Sequence, residues 1–155
     1  MTGLLDRIQD ARAIGRWPIE TGCVFDAIVH GEVPAHIVYS DDVVVAFLDH
    51  RPVFHGHTLV ATRVHIETLS DLSHELLEPY FSAVQLVARA VERGLQADGT
   101  FVAINNKVSQ SVPHLHAHVV PRRRKDGLRG FFWPRQKYRD EEHMSEIAGQ
   151  IRAGF

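Results

Sequence analysis

Pro113-His114-Leu115-His116-Ala117-His118-Val119-Val120 places a histidine at every second position of an otherwise apolar run. Read as a β-strand, its side-chain period of two sends His114, His116 and His118 to one face and Leu115, Ala117 and Val119 to the other. The apolar face calls for a core. The imidazole face suits one poorly, because each neutral ring has a donor and an acceptor to satisfy and three neighbouring cations would repel. The stretch therefore reads as a strand with one face in the interior and the other in a reactive site. Alternating histidines alone also suit a zinc site.

Working outward, a seven-residue polar loop separates this strand from another over Thr100–Asn105. Further upstream, Ile37–Tyr39 and Val43–Leu48 are β-branched and aromatic runs divided by Ser40-Asp41-Asp42, the pattern of a hairpin. His57–Thr62, after Pro52 and Gly56, makes a third strand in sequence. From Ser73 the period changes. Tyr80, Phe81, Val84, Val87, Ala88, Val91 and Leu95 mark one face of a long helix that starts near Pro79 after a short turn and ends over Gly94–Gly99. Short helices flank this frame: Leu4, Leu5, Ile8 and Ala11 before Gly15 and Trp17-Pro18, Phe25, Ile28 and Val29 before Gly31, and Met144, Ile147, Ala148 and Ile151 after an Asp140 N-cap. Without βαβ alternation, this order predicts an α+β fold: an antiparallel five-stranded sheet, one long helix and short flanking helices. One domain spans 1–155 in this reading, with its core at about 23–122 and a C-terminal extension over 123–155 that carries the closing helix.

The 155 residues suffice for one core, and 45% hydrophobic with 23% charged residues excludes a disordered chain. The longest apolar run, Val43–Leu48, is far too short to span a bilayer as a helix, and the first ten residues lack a secretory apolar region, so a cytoplasmic protein without membrane partners is expected. Cys23 is the only cysteine, which excludes an intrachain disulfide and a four-cysteine zinc site, whereas histidine numbers eleven. Seventeen basic residues nearly balance nineteen acidic ones, yet residues 121–139 hold eight basic against one acidic. A solvated loop or protomer contact accounts for such a tract better than nucleic acid does, since a nucleic-acid binder is usually basic throughout.

Gln110-Ser111-Val112-Pro113-His114-Leu115-His116-Ala117-His118-Val119-Val120-Pro121-Arg122, with Phe47-Leu48-Asp49, Gly56-His57-Thr58-Leu59-Val60 and Ala97-Asp98-Gly99 upstream, resembles the active-site signature of the histidine triad (HIT) superfamily of nucleotide hydrolases and transferases. The resemblance runs from about Cys23 to Arg122. It implies that His116 attacks the α-phosphorus of a nucleotide and forms a covalent nucleotidyl-histidine, which water then cleaves. Neutral imidazole is nucleophilic near pH 7, and its phosphorylated form is a good leaving group. By the same resemblance His118 and His57 steady the phosphate charge, Ser111 meets the leaving atom, and His114 completes the triad as a supporting residue. Asp49 accepts the ribose hydroxyls, and Phe47, His50, Asn105 and Gln110 complete the nucleotide-binding set. Asn106 competes with Asn105, because the loop over 106–109 is shorter than in similar proteins and has Lys107 where glycine is common.

Catalysis so implied needs no cofactor. Similar bacterial proteins bind structural zinc through a Cys-x-x-Cys pair and two histidines, and here Cys23, Asp26, His65 and His114 match those positions, aspartate replacing the second cysteine. Aspartate is a legitimate zinc ligand. The implied activity is cleavage of purine nucleoside phosphoramidates or adenylates to the nucleoside monophosphate. Hydrolysis or phosphorolysis of diadenosine polyphosphates, and a nucleotide sensor with little turnover, are the competing readings. A homodimer is also implied, in which the aromatic and basic stretch Gly127–Arg135, with Trp133, reaches the partner's leaving-group pocket.

Overall fold

The structure, a computed structural model, describes residues 22–128 and 136–155. The expected helix over residues 4–14 and most of the aromatic stretch around Trp133 lie outside the described residues. In order come helix α1 (Val24–Val29), strands β1 (Ile37–Ser40), β2 (Val44–Leu48) and β3 (Thr58–Thr62), a 3-10 turn (Leu69–Asp71), helix α2 (His74–Leu95), strands β4 (Gly99–Ile104) and β5 (His116–Arg122), and helix α3 (Glu141–Arg152). None of the described helices is long and apolar enough to cross a membrane.

The strands form one antiparallel sheet in the order β1-β2-β3-β5-β4. Three sequential strands are as expected, and the last strand then slots between β3 and β4. Asp41 makes the first turn: Oδ1 accepts the backbone N–H groups of Val43 and Val44, both at 2.8 Å, and Oδ2 accepts the Tyr39 hydroxyl at 2.8 Å. Alternation sorts the sheet's two faces. Val44, Ala46, Val60, Leu115, Ala117 and Val119 pack with Tyr80, Ala83, Val84, Val87 and Val91 of α2, whereas Val45, Phe47, Leu59 and Ala61 pack with Phe25 and Val29 of α1. Both faces of β2 and β3 are therefore covered, which is why these strands read as nearly continuous apolar runs.

The sequence-based bounds need several corrections. Helix α2 begins at His74, five residues before the expected start, and carries Pro79 inside it. An internal proline costs a helix about 3 kcal/mol. Here Leu76 and Leu77 before it and Tyr80 after it pack on the same core and hold the turn together. Phe81 and Leu95, expected in the buried stripe, are 42% and 40% exposed, and Ala83 is buried instead. The helix ends with Gln96 in the left-handed region (φ 52°), its last carbonyls capped by Arg123, whose guanidinium donates to the Leu95 and Gln96 oxygens at 2.6 and 2.7 Å. Helix α3 has the expected N-cap, the Asp140 carboxylate accepting the His143 N–H at 2.8 Å.

Candidate active site

Strand β5 begins at His116, not Pro113. The preceding residues turn away from the ladder, with the His114 N–H on the Val112 oxygen at 2.8 Å and the Leu115 N–H on the Ile66 oxygen at 2.6 Å. The expected alternation survives this shift: Leu115, Ala117 and Val119 face α2, and the Phe25 ring on the opposite side meets those of His114 and His116 edge-on. Residue His57 likewise precedes its strand, which starts at Thr58.

Hydrogen bonds fix the proton on each ring. Nδ1 of His116 lies 2.6 Å from the His114 carbonyl oxygen, which can only accept, so Nδ1 carries the hydrogen and Nε2 keeps its lone pair. Nδ1 of His57 accepts the Val53 N–H at 3.2 Å, so its Nε2–H donates to Nδ1 of His118 at 2.9 Å. His118 is thereby left with its hydrogen on Nε2. Burial lowers the pKa of His57, His116 and His118 below the ordinary imidazole value, and His118, next to His116 and His57, falls to about 4. All three rings are neutral at pH 7. Where β5 places them, His116 offers a lone pair and His118 an N–H.

A cleft of about 430 Å³ opens over these two rings. Phe25, Ile28, Phe47 and Leu59 give it apolar walls, and Asp49, His50, Ser111, His116 and His118 supply its polar groups. Asp49 does two jobs: Oδ1 accepts the Arg51 N–H at 2.8 Å, and Oδ2 stands 3.5 Å from Nδ1 of His57. His50, its side chain 90% exposed, marks the rim. His57 and His114 lie behind the cleft wall, 4% and 0% exposed. Neither Asn105 nor Gln110 lines it. Gln110 instead clamps the loop, its amide donating to the Glu67 oxygen at 2.6 Å and accepting the Lys107 N–H at 2.7 Å. Asn106 is engaged likewise, by the Leu69 N–H at 2.8 Å, which leaves Asn105 as the amide without such a role. A larger cavity, about 550 Å³, lies between α1 and β1 and carries no triad side chain. Phe25, Ile28 and His36 are cleft residues that sequence reasoning missed, the first two because their helical spacing reads only as packing.

Cys23, Asp26, His65 and His114 do come together, one ligand atom of each within 4.8 Å of the others. Nε2 of His114 points at the Thr62 oxygen (2.6 Å) and so carries the hydrogen, which turns the Nδ1 lone pair towards Cys23 Sγ at 3.5 Å and Asp26 Oδ1 at 3.4 Å. Ligand atoms across a tetrahedral zinc stand roughly 3.5 Å apart. A buried lone pair facing a buried carboxylate calls for a cation between them, and thiolate, carboxylate and two imidazoles are a donor set zinc accepts. The residues fit the ion. Nδ1 of His65 stands 2.8 Å from Asp26 Oδ2, the other oxygen of the same carboxylate. Asp49, His57 and His118 also cluster. Two nitrogens of His57 face opposite partners, though, so this is a hydrogen-bonded chain and not a cage for one ion.

Two of the eight basic residues in the tract, Arg122 and Arg123, are tied down within the fold. Arg122 forms a two-pronged pair with Asp126 (2.6 and 3.0 Å) and donates to the Leu128 oxygen, and Arg123 caps α2.

A family model described as the HIT domain matches residues 30–125. The fold superposes on the crystal structure of a HIT family member from Bacillus subtilis with a TM-score of 0.78 and 36% identity, over 86% of this chain and 97% of that one. A zinc-bound histidine triad family protein from Mycobacterium smegmatis aligns with a TM-score of 0.66 and 37% identity, over 86% and 98% of the two chains. In sequence, the adenylylsulfatase HINT3 of Arabidopsis thaliana is 31% identical over 112 residues, 71% of this chain and 57% of that protein.

Proposed function

Because this chain belongs to the HIT domain family, we propose that it is a nucleotide hydrolase that cleaves purine nucleoside phosphoramidates or related adenylates to the nucleoside monophosphate. The observation that carries this reading is the His116 tautomer. With Nδ1–H held by the His114 carbonyl, the Nε2 lone pair faces a cleft that the Asp49 carboxylate also lines.

In the proposed reaction the base lies between the apolar walls and the ribose hydroxyls on Asp49, which brings the α-phosphorus to His116. Nε2 forms the new N–P bond as the bond to the leaving group breaks, that electron pair staying with the leaving atom. Ser111, at the edge of the cleft, relays a solvent proton to the leaving atom, its hydroxyl giving up one proton as it takes another. The Nε2–H of His118 donates to a phosphoryl oxygen as charge builds there. Water then attacks phosphorus, the N–P pair returns to His116, and the proton of that water goes back to solvent. The adenylylsulfatase among the similar proteins supports attack on an adenylate.

Zinc held by Cys23, Asp26, His65 and His114 would supply structural support. His114 donates the carbonyl that orients His116, so an ion fixing its ring would fix the nucleophile's anchor. We further propose a homodimer, supported by the outer edge of β4: Val102 pairs with Val119 and so faces the α2 side, where it is 45% exposed although apolar.

Incubating the protein with adenosine 5′-phosphoramidate should yield AMP. His116→Ala should slow turnover about 10⁴-fold with AMP binding retained, and equal turnover in that variant would remove the covalent route. Protein purified without chelator should carry one zinc per chain, absent from His65→Ala; a metal-free wild type would retire the zinc proposal.

A further inference from the structure

A second cavity, about 460 Å³, lies directly beyond the cleft. The two share Val24, Ser111 and Val112, so a group bonded to phosphorus on the Ser111 side continues into this space. Its two ionisable rim groups besides Cys23 are His65 and Glu67. His65 is held by Asp26. Glu67 is different: its backbone oxygen is clamped to Gln110, the neighbour of Ser111, while its carboxylate is exposed and has no hydrogen bond or ion pair among the described residues. Lys107 belongs to the same loop but does not line the cavity. Zinc at the neighbouring site would not reverse the sign, because the Cys23 thiolate and Asp26 carboxylate match its two charges. Among the described residues, the groups that line this space therefore leave it electrically negative.

Resting on the hydrolase reading above, we propose that this cavity is the leaving-group subsite and that Glu67 selects leaving groups bearing a positive charge, such as an amine with a second, free ammonium group, over anionic ones such as sulfate or polyphosphate. The chemical step is unchanged: the P–N bond breaks, its electron pair stays on the amine nitrogen, and that nitrogen takes the Ser111 proton. Glu67 acts on the far end of the departing amine and is a specificity residue.

The test uses three phosphoramidates of AMP that differ only in the amine: 1,2-diaminoethane (cationic tail), propylamine (neutral) and β-alanine (anionic tail). In wild type, kcat/KM should fall about three- to fivefold at each step from cation to neutral to anion, the range of exposed charge pairs. High salt should compress the series. Glu67→Gln should flatten it and Glu67→Lys should reverse it. Dissociation constants for the three compounds, measured on His116→Ala, read the same order without turnover. Charge-ordered binding with no hydrolysis of any compound by wild type would end the hydrolase reading and keep the subsite. Hydrolysis of all three with ratios identical in wild type, Glu67→Gln and Glu67→Lys would keep the hydrolase and overturn the subsite.

Discussion

His57 lies behind the cleft wall, yet it sets which hydrogen His118 presents. With Nδ1 accepting from Val53, its Nε2–H must donate, and His118 is locked in the tautomer that carries its hydrogen on Nε2. His57→Phe keeps an aromatic ring, slightly larger, and removes both nitrogens. It should lower kcat about 10²-fold while changing KM much less, and His57→Gln, whose amide can still donate, should recover part of that loss; steady-state kinetics on the phosphoramidate reads both. Part of the site was legible in the sequence: His116, His118, Asp49 and Ser111 line one cleft, whereas His57, expected against the phosphate, is buried behind its wall. The proton positions were not, since these are set by backbone groups, the Val53 N–H and the His114 and Thr62 carbonyls, which no side-chain pattern encodes. Gln110 shows the opposite failure. Its motif position suggests a nucleotide contact, but its amide is held by two backbone groups of the loop.

Among the elements, periodicity gave the strands and helices but not the limits that packing imposes. Strand β5 was legible because alternation leaves one face apolar, and β2 because six consecutive apolar residues, Val43–Leu48, suit a strand covered on both sides. Pro79 misled because local preference favours a helix start there, whereas Leu76, Leu77 and Tyr80 reward continuing the helix through it. Phe81 counted as core by spacing alone but is exposed; Val102 is exposed too, on β4, an edge strand. An edge with apolar side chains beside it invites pairing with another chain. If a second copy pairs there, Val102→Lys should convert the dimer to a monomer by light scattering while the circular dichroism spectrum stays as in wild type. A variant that remains dimeric would place the contact elsewhere.

For the molecule as a whole, the buried imidazoles tie stability to pH. Burial keeps His57 and His118 below the ordinary imidazole value near 6.5, His118 at about 4, so on acidification the unfolded chain takes up these protons first. Their contribution is complete above about pH 6.5 and is lost as the pH falls towards 4. Thermal unfolding should therefore occur about 5 °C lower at pH 4.5 than at pH 7.5, and His118→Gln should show a shallower slope over that window; parallel slopes would assign the acid sensitivity to other groups. The sheet order has a consequence for synthesis. Strand β5 is the last of the five to leave the ribosome, yet it fills the gap between β3 and β4, so a nascent chain that ends before it exposes two open seams where the finished protein has its centre. His116, the proposed nucleophile, sits at the head of that closing strand, so its ring reaches its place only in the step that shuts the sheet.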